Sequence, residues 1–124
     1  MNNVIIADDS DTARLFVRRC FEIAGLSEAT IFEAKNGNEA VTLLESHPID
    51  LVITDLNMPG IDGRTLIRQM RLDPRWHAVP VIVVSSAANA ELHNELRVLG
   101  AQAVIKKPPS PEHAAKCLEV LKRR

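Results

Sequence analysis

Five short apolar runs, each closing on polar residues, alternate along this chain with five segments whose apolar residues recur at intervals of three and four. No other feature constrains the fold as strongly. Runs this short suit strands buried on both faces, whereas a spacing of three and four marks one side of a helix. Strands and helices taken in turn specify a parallel sheet, because parallel neighbours need a crossover and the crossover helix packs back onto the sheet along a right-handed path. The expected class is therefore α/β, with helices on both faces of the sheet.

The first strand is expected over Val4 to Ala7, stopping at Asp8 and Asp9. Ser10, Asp11 or Thr12 then caps a helix with Ala13, Phe16, Val17, Cys20 and Ala24 on its apolar side and Gly25 as its stop. Thr30 to Ala34 reads as the second strand, Asn36-Gly37 as a turn, and Ala40, Val41 and Leu44 as the stripe of a helix ended by Pro48. Ile49 to Thr54 is the strongest strand signal and runs directly into Asp55, before the loop Leu56-Asn57-Met58-Pro59-Gly60. Leu66, Ile67 and Met70 mark the third helix, and Pro74 and Pro80 bracket the next connection. Val81 to Val84 form the fourth strand, and Leu92, Leu96 and Leu99 stripe a helix that stops at Gly100. Ala103 to Ile105 complete the strands, and Ser110-Pro111 opens a last helix burying Ala114, Leu118 and Leu121.

With 124 residues the chain has the size of one ordinary domain, and residues 1–124 are read as a single one. Fifteen basic residues against sixteen acidic ones give no footprint for nucleic acid or a membrane surface. The LKRR ending is expected to solvate the last helix turn and suit its dipole. Neither a signal peptide nor a membrane span is apparent, and Cys20 and Cys117 lack the spacing of a zinc site, so a reduced, cytoplasmic protein is expected. His47, His77, His93 and His113 are scattered without ligand spacing, and Trp76 is expected to pack beneath its loop rather than anchor a partner.

In open α/β sheets the functional crevice lies beyond the carboxyl ends of the strands. Asp8 and Asp9 end the first strand, Asp55 the third, Ser85 and Ser86 the fourth, and Lys106 and Lys107 the fifth, so all are expected on one edge. Carboxylates held together repel one another unless they share protons, take a cation or stay solvated. A hard divalent ion such as Mg²⁺, which prefers oxygen and keeps several waters, answers that repulsion; zinc would call for His or Cys. One carboxylate can then attack phosphorus while the cation and a lysine ammonium offset charge on the phosphoryl oxygens. Asp55 is the candidate nucleophile, Lys107 the candidate phosphate cation and Ser85 the candidate hydroxyl donor.

The Asp8-Asp9 pair, Asp55 in DLVITDLNMPGIDG, Ser85 in VPVIVVSSA and Lys107-Pro108 in AVIKKP occur together in order, and with them the chain resembles the receiver family of two-component response regulators, in particular its stand-alone chemotaxis type. The resemblance implies a doubly wound, flavodoxin-like (βα)5 sheet of strand order 2-1-3-4-5. It implies that a histidine kinase or histidine phosphotransfer protein phosphorylates Asp55, and that Asp9, Asp55 and the carbonyl of Asn57 bind Mg²⁺ directly, with Asp8 assisting through water. Ser85 would move toward the phosphate, Lys107 would pair with it, and a downstream protein target would read the change. The implied molecule is a monomer or weak dimer, not a multiple-turnover enzyme, with a cis Lys107-Pro108 bond.

Three positions depart from that family's pattern. Val104 stands where a mobile Tyr or Phe is usual, Pro109 where an aromatic residue is frequent, and Ala87 leaves no side chain to orient a hydrolytic water. Two rival readings follow from the residues. The spacing Asp9-Ser10-Asp11 also suits an aspartate-dependent phosphohydrolase, though that leaves the Asp55 loop unexplained, and Val104 lends support to an interaction module that signals without phosphate.

Overall fold

Strand polarity and helix phasing together decide which residues face each other across the sheet. In a computed structural model, which describes residues 1–122, the elements run β1 (Asn3–Ala7), α1 (Asp11–Phe21), β2 (Thr30–Ala34), α2 (Gly37–Ser46), β3 (Leu51–Thr54), α3 (Gly63–Leu72), β4 (Val81–Ser85), α4 (Ala90–Leu99), β5 (Ala103–Lys106) and α5 (Pro111–Lys122). Arg123 and Arg124, the end of the basic LKRR segment, lie outside the described residues. The strands pair in parallel in the order β2-β1-β3-β4-β5, as expected of a flavodoxin-like sheet. Chain order reverses at β1, whose Val4 lies opposite both Ile31 and Leu51.

Alternate residues of each strand point to opposite faces, so one sheet supplies two cores. Ile5, Ala7, Val52, Val81 and Val83 pack with Ala40 and Leu44 of α2, Leu66, Ile67 and Met70 of α3, and Leu92 and Leu96 of α4. Val4, Ile6, Leu51, Ile53, Ile82 and Val84 pack with Val17 and Phe21 of α1 and Ala114, Leu118 and Leu121 of α5. Each Val, Leu, Ile, Phe or Met side chain among them taken fully from water contributes about 1.5–3 kcal/mol before the entropy of ordering it is set against that gain. Trp76 lies in the first of these cores, beneath its Pro-bounded loop, with the Arg75 guanidinium 4.2 Å above its ring.

Side-chain caps set where the helices begin. Ser10 accepts from the Ala13 amide, Asn36 from Glu39, Asp62 from Thr65, Asn89 from Leu92 and Ser110 from His113, each pairing a donor that the first turn leaves without a partner. Among Ser10, Asp11 and Thr12, the residue at the first cap is thus Ser10.

The helical turn continues past Phe21 through Glu22–Leu26, and the helical backbone breaks within it at Gly25, φ 139°, where the sequence places the stop. Several sequence expectations change. The buried stripe of α1 is Arg14, Val17, Cys20 and Phe21, and Phe16 is exposed: the face against the sheet is rotated from the one that Ala13 and Phe16 suggest. Ile49 is buried but precedes β3, while β4 and β5 each run one residue further than expected, to Ser85 and Lys106.

Candidate functional site

The sheet's hydrogen-bond ladder continues one step beyond the strand ends, and that step carries the polar residues. The Asp8 amide donates to the Ala34 carbonyl at 3.0 Å, Asp55 to Ala7 at 2.9 Å, and Lys107 to Ser85 at 3.0 Å. Asp8, Asp55 and Lys107 are therefore held by the same register that sets the core. Asp8 is buried, Asp55 is 9% exposed and Asp9 is open to solvent, and carboxylate oxygens of the three come within 4.8 Å of one another.

Lys107 lies across this cluster, with Nζ 2.8 Å from Asp8 Oδ2 and 3.1 Å from Asp55 Oδ2. Burial pulls its pKa down, but the hydrogen bonds and charges of Asp8 and Asp55 outweigh that and hold it above the usual lysine value. The remaining oxygens are oriented by backbone: Asp8 Oδ1 accepts from the Ser10 amide at 2.9 Å, and Asp55 Oδ1 accepts from Leu56 at 2.8 Å. Three carboxylates against one ammonium leave two negative charges if all are ionised. An all-oxygen donor set with that excess suits a hard divalent cation and offers nothing to a thiophilic one.

The loop after Asp55 descends onto the start of α3. Gly63 donates to the Leu56 carbonyl at 2.8 Å, and a Cβ on Gly63 would lie 2.5 Å from the Asp55 carbonyl oxygen and 2.8 Å from Leu56 Cα. Asn57 is exposed on this loop and, with Leu56, Arg64, Ala87, Asn89 and Glu95, lines an open cleft of about 530 Å³ beside the carboxylates. Ser85 is fully buried at the end of β4, its Oγ accepting from the Ala87 amide at 3.1 Å, whereas Ser86 is exposed. The structure thus joins Asp8, Asp9, Asp55 and Lys107 in one cluster and sets Ser85 and Asn57 on the adjoining strand end and loop. The Lys107-Pro108 peptide is cis.

A family model described as the response regulator receiver domain matches residues 4–119. The chain belongs to the response regulator receiver family. Chemotaxis protein CheY of Pseudomonas aeruginosa is 31% identical to this receiver over 105 residues, covering 85% of this chain and 83% of that protein. CheY1 of Helicobacter pylori is 30% identical over 120 residues, covering 95% and 94%. Among solved structures, CheY4 of Vibrio cholerae superposes with a TM-score of 0.80 at 27% identity, covering 99% of this chain and 98% of that one. The chain is accordingly a receiver of two-component signalling, similar over most of its length to the chemotaxis type. Among the described residues, no helix of this receiver is long and apolar enough to cross a membrane.

Two charged residues of this receiver escaped the sequence reading. Arg14 is 7% exposed, and its guanidinium donates to the Asp8 carbonyl at 2.8 Å, to Glu33 Oε1 at 2.7 Å and to Asp11 Oδ1 at 2.6 Å. Glu33 of β2 bridges Arg14 and Arg18, and the Arg14 hydrogen bond leads in holding its carboxyl below the usual glutamate range. Arg14 stands three residues before Val17 and seven before Phe21, on the stripe that packs against the sheet, but spacing by itself does not separate that stripe from one through Ala13 and Phe16.

Proposed function

We propose that Asp55 of this receiver accepts a phosphoryl group in a Mg²⁺-dependent reaction, and that the modification switches a surface read by a downstream protein. The reading rests on one observation, the convergence of the Asp8, Asp9 and Asp55 carboxylates at the carboxyl edge of the sheet, with the Lys107 ammonium bonded to Asp8 and Asp55. A carboxylate oxygen of Asp55 attacks phosphorus on a donor phosphohistidine. The P–N bond breaks as the O–P bond forms, its electron pair stays on the imidazole nitrogen, and Asp55 becomes an acyl phosphate. Lys107 moves its hydrogen bonds from the carboxylates to a phosphoryl oxygen, and Ser85 Oγ turns its hydroxyl toward another. Asp8, Asp9, Asp55 and the Asn57 carbonyl are the residues that would hold Mg²⁺. When bound, the ion neutralises charge on the transferring phosphoryl group.

The implied donor is a histidine kinase or a histidine phosphotransfer protein, the modification occurs once per cycle rather than with multiple turnover, and residues 1–124 act as one receiver domain in the cytoplasm. The phosphohydrolase reading needs Asp11 as a second acid near Asp9. Asp11 instead binds Arg14, which weighs against that assignment. Treatment with acetyl phosphate and Mg²⁺, followed by intact mass, tests the proposal. One added phosphoryl group is expected in the wild type and none in Asp55→Asn or in excess EDTA. An adduct retained by Asp55→Asn would overturn it, and rapid, sustained phosphate release from a phosphomonoester would favour the hydrolase.

A further inference from the structure

Arg14 is an unusual residue to find on the sheet-facing side of α1, and its three hydrogen bonds are unequal in consequence. Two go to carboxylates, Glu33 and Asp11, which offset its charge. The third goes to the carbonyl of Asp8, and that carbonyl belongs to the peptide group joining Asp8 to Asp9. A peptide group is planar, so fixing its oxygen fixes the amide of Asp9 and limits where the Asp9 side chain can start. On its other side Asp8 is held by the Ser10 amide and by Lys107. Asp9 is exposed, and this peptide joins it to the buried Asp8.

From this geometry we propose that Arg14 is a positioning residue for the acidic pair, orienting the Asp8–Asp9 peptide so that both carboxylates face Asp55. The proposal rests on the cation reading above. Arginine suits the task and lysine does not, because a planar fork satisfies three acceptors in fixed directions while an ammonium is a single point on a flexible stem. Groups that orient ligands without touching the ion commonly change metal affinity by about 10- to 100-fold when removed.

Arg18 supplies the control. It shares Glu33 with Arg14, its Nη1 lying 2.7 Å from Glu33 Oε2, and it pairs with Glu22. Losing Arg18 therefore removes an ion pair to the same carboxylate without touching the Asp8 carbonyl. Charge alone makes an opposite forecast for Arg14. Removing a cation near three carboxylates should tighten Mg²⁺ binding, whereas loss of positioning should weaken it.

The test is calorimetric titration of the full chain with Mg²⁺ alone, comparing wild type, Arg14→Lys, Arg14→Met and Arg18→Ala, each first shown to be folded by circular dichroism. Both Arg14 variants are expected to bind Mg²⁺ about tenfold more weakly, with Arg18→Ala matching the wild type. Unchanged affinity in Arg14→Lys, tighter binding in Arg14→Met, or equal losses in the Arg14 and Arg18 variants would each overturn the proposal. Cation-free NMR gives a readout independent of the functional reading: the Asp8, Asp9 and Ser10 amides should move in Arg14→Lys and stay in place in Arg18→Ala. If the wild type binds no Mg²⁺, the cation reading fails and this spectrum decides the positioning role, which stationary amides would refute. Should the Arg14 variants not fold, Glu33→Gln, which loosens one arm of the fork, is expected to weaken Mg²⁺ binding to a lesser degree, and no loss there would refute it.

Discussion

Lys107 and Asp55 stand 52 positions apart in the chain, and Nζ of the one lies 3.1 Å from Oδ2 of the other. The same ammonium lies 2.8 Å from Asp8 Oδ2, so a single cationic atom links residues just beyond the ends of β1, β3 and β5. A divalent cation entering the cluster meets carboxylates already engaged by Lys107, and the two positive charges compete for them.

That competition makes Lys107→Met informative. Without divalent cation the variant leaves Asp8 and Asp55 facing each other with no ammonium between them, and a loss of about 1–3 kcal/mol is expected. Mg²⁺ should restore more stability to the variant than it adds to the wild type, since no lysine opposes it. Urea unfolding with EDTA and with saturating Mg²⁺ measures both effects. Equal midpoints for the two proteins in EDTA would show that Lys107 does not offset the carboxylate repulsion.

Gly63 is expected to tolerate no side chain. A Cβ there would meet the backbone of Asp55 and Leu56, which cannot swing aside as a flexible side chain can. Gly63→Ala should cost about 1–3 kcal/mol and displace the amide resonances of Asp55 and Leu56. Urea denaturation gives the first quantity and an amide correlation spectrum the second.

Acid should weaken the Arg14–Glu33–Arg18 network. The Glu33 carboxyl is held below its ordinary value of 4.5, chiefly by the hydrogen bond from Arg14. A carboxyl with a lowered folded-state pKa stabilises fully above its unfolded value, and that share is lost as pH falls through the folded one. The stability difference between wild type and Glu33→Gln should thus be largest at neutral pH and shrink below about pH 4.5. Urea midpoints collected from pH 7 to pH 3 check this, and a gap that widens on acidification would contradict it.

Output is expected to run through the loop after β4 and through α4. Val104 sits opposite Val83 in the sheet and offers no aromatic ring to rotate, so a large side-chain swing on β5 is unavailable. Arg64 at the start of α3 pairs with Glu95 of α4, Nε to Oε2 at 2.5 Å, across the cleft that Asn57 and Ala87 also line. Phosphate at Asp55, or beryllofluoride in its place, should therefore shift amides beyond the site chiefly between Ser86 and Gly100. Shifts concentrated instead in α1 or α2 would refute this route.

The alternation of apolar runs with helical stripes by itself determined the α/β class, because the period of a hydrophobic pattern is a local property of the chain. The same holds for the cap at Ser110 and for the arrival of Asp8, Asp9, Asp55 and Lys107 at one sheet edge, which follows once the strands are parallel, whereas only the structure decides for Ser10 over Asp11 and Thr12. Strand order was legible only through the family resemblance, since nothing in a single strand says which neighbour it takes. Tertiary structure alone decided the rotation of α1 that buries Arg14 and exposes Phe16, a difference of less than one turn to which spacing is blind. It also decided the fate of two charges. Nothing in the sequence pattern pairs Arg14 with Glu33, and only the packing of α1 beside β2 brings them together and aims the guanidinium at the Asp8 carbonyl. Local pattern reports which side of an element avoids water; which polar atoms meet there depends on contacts between elements distant in the chain.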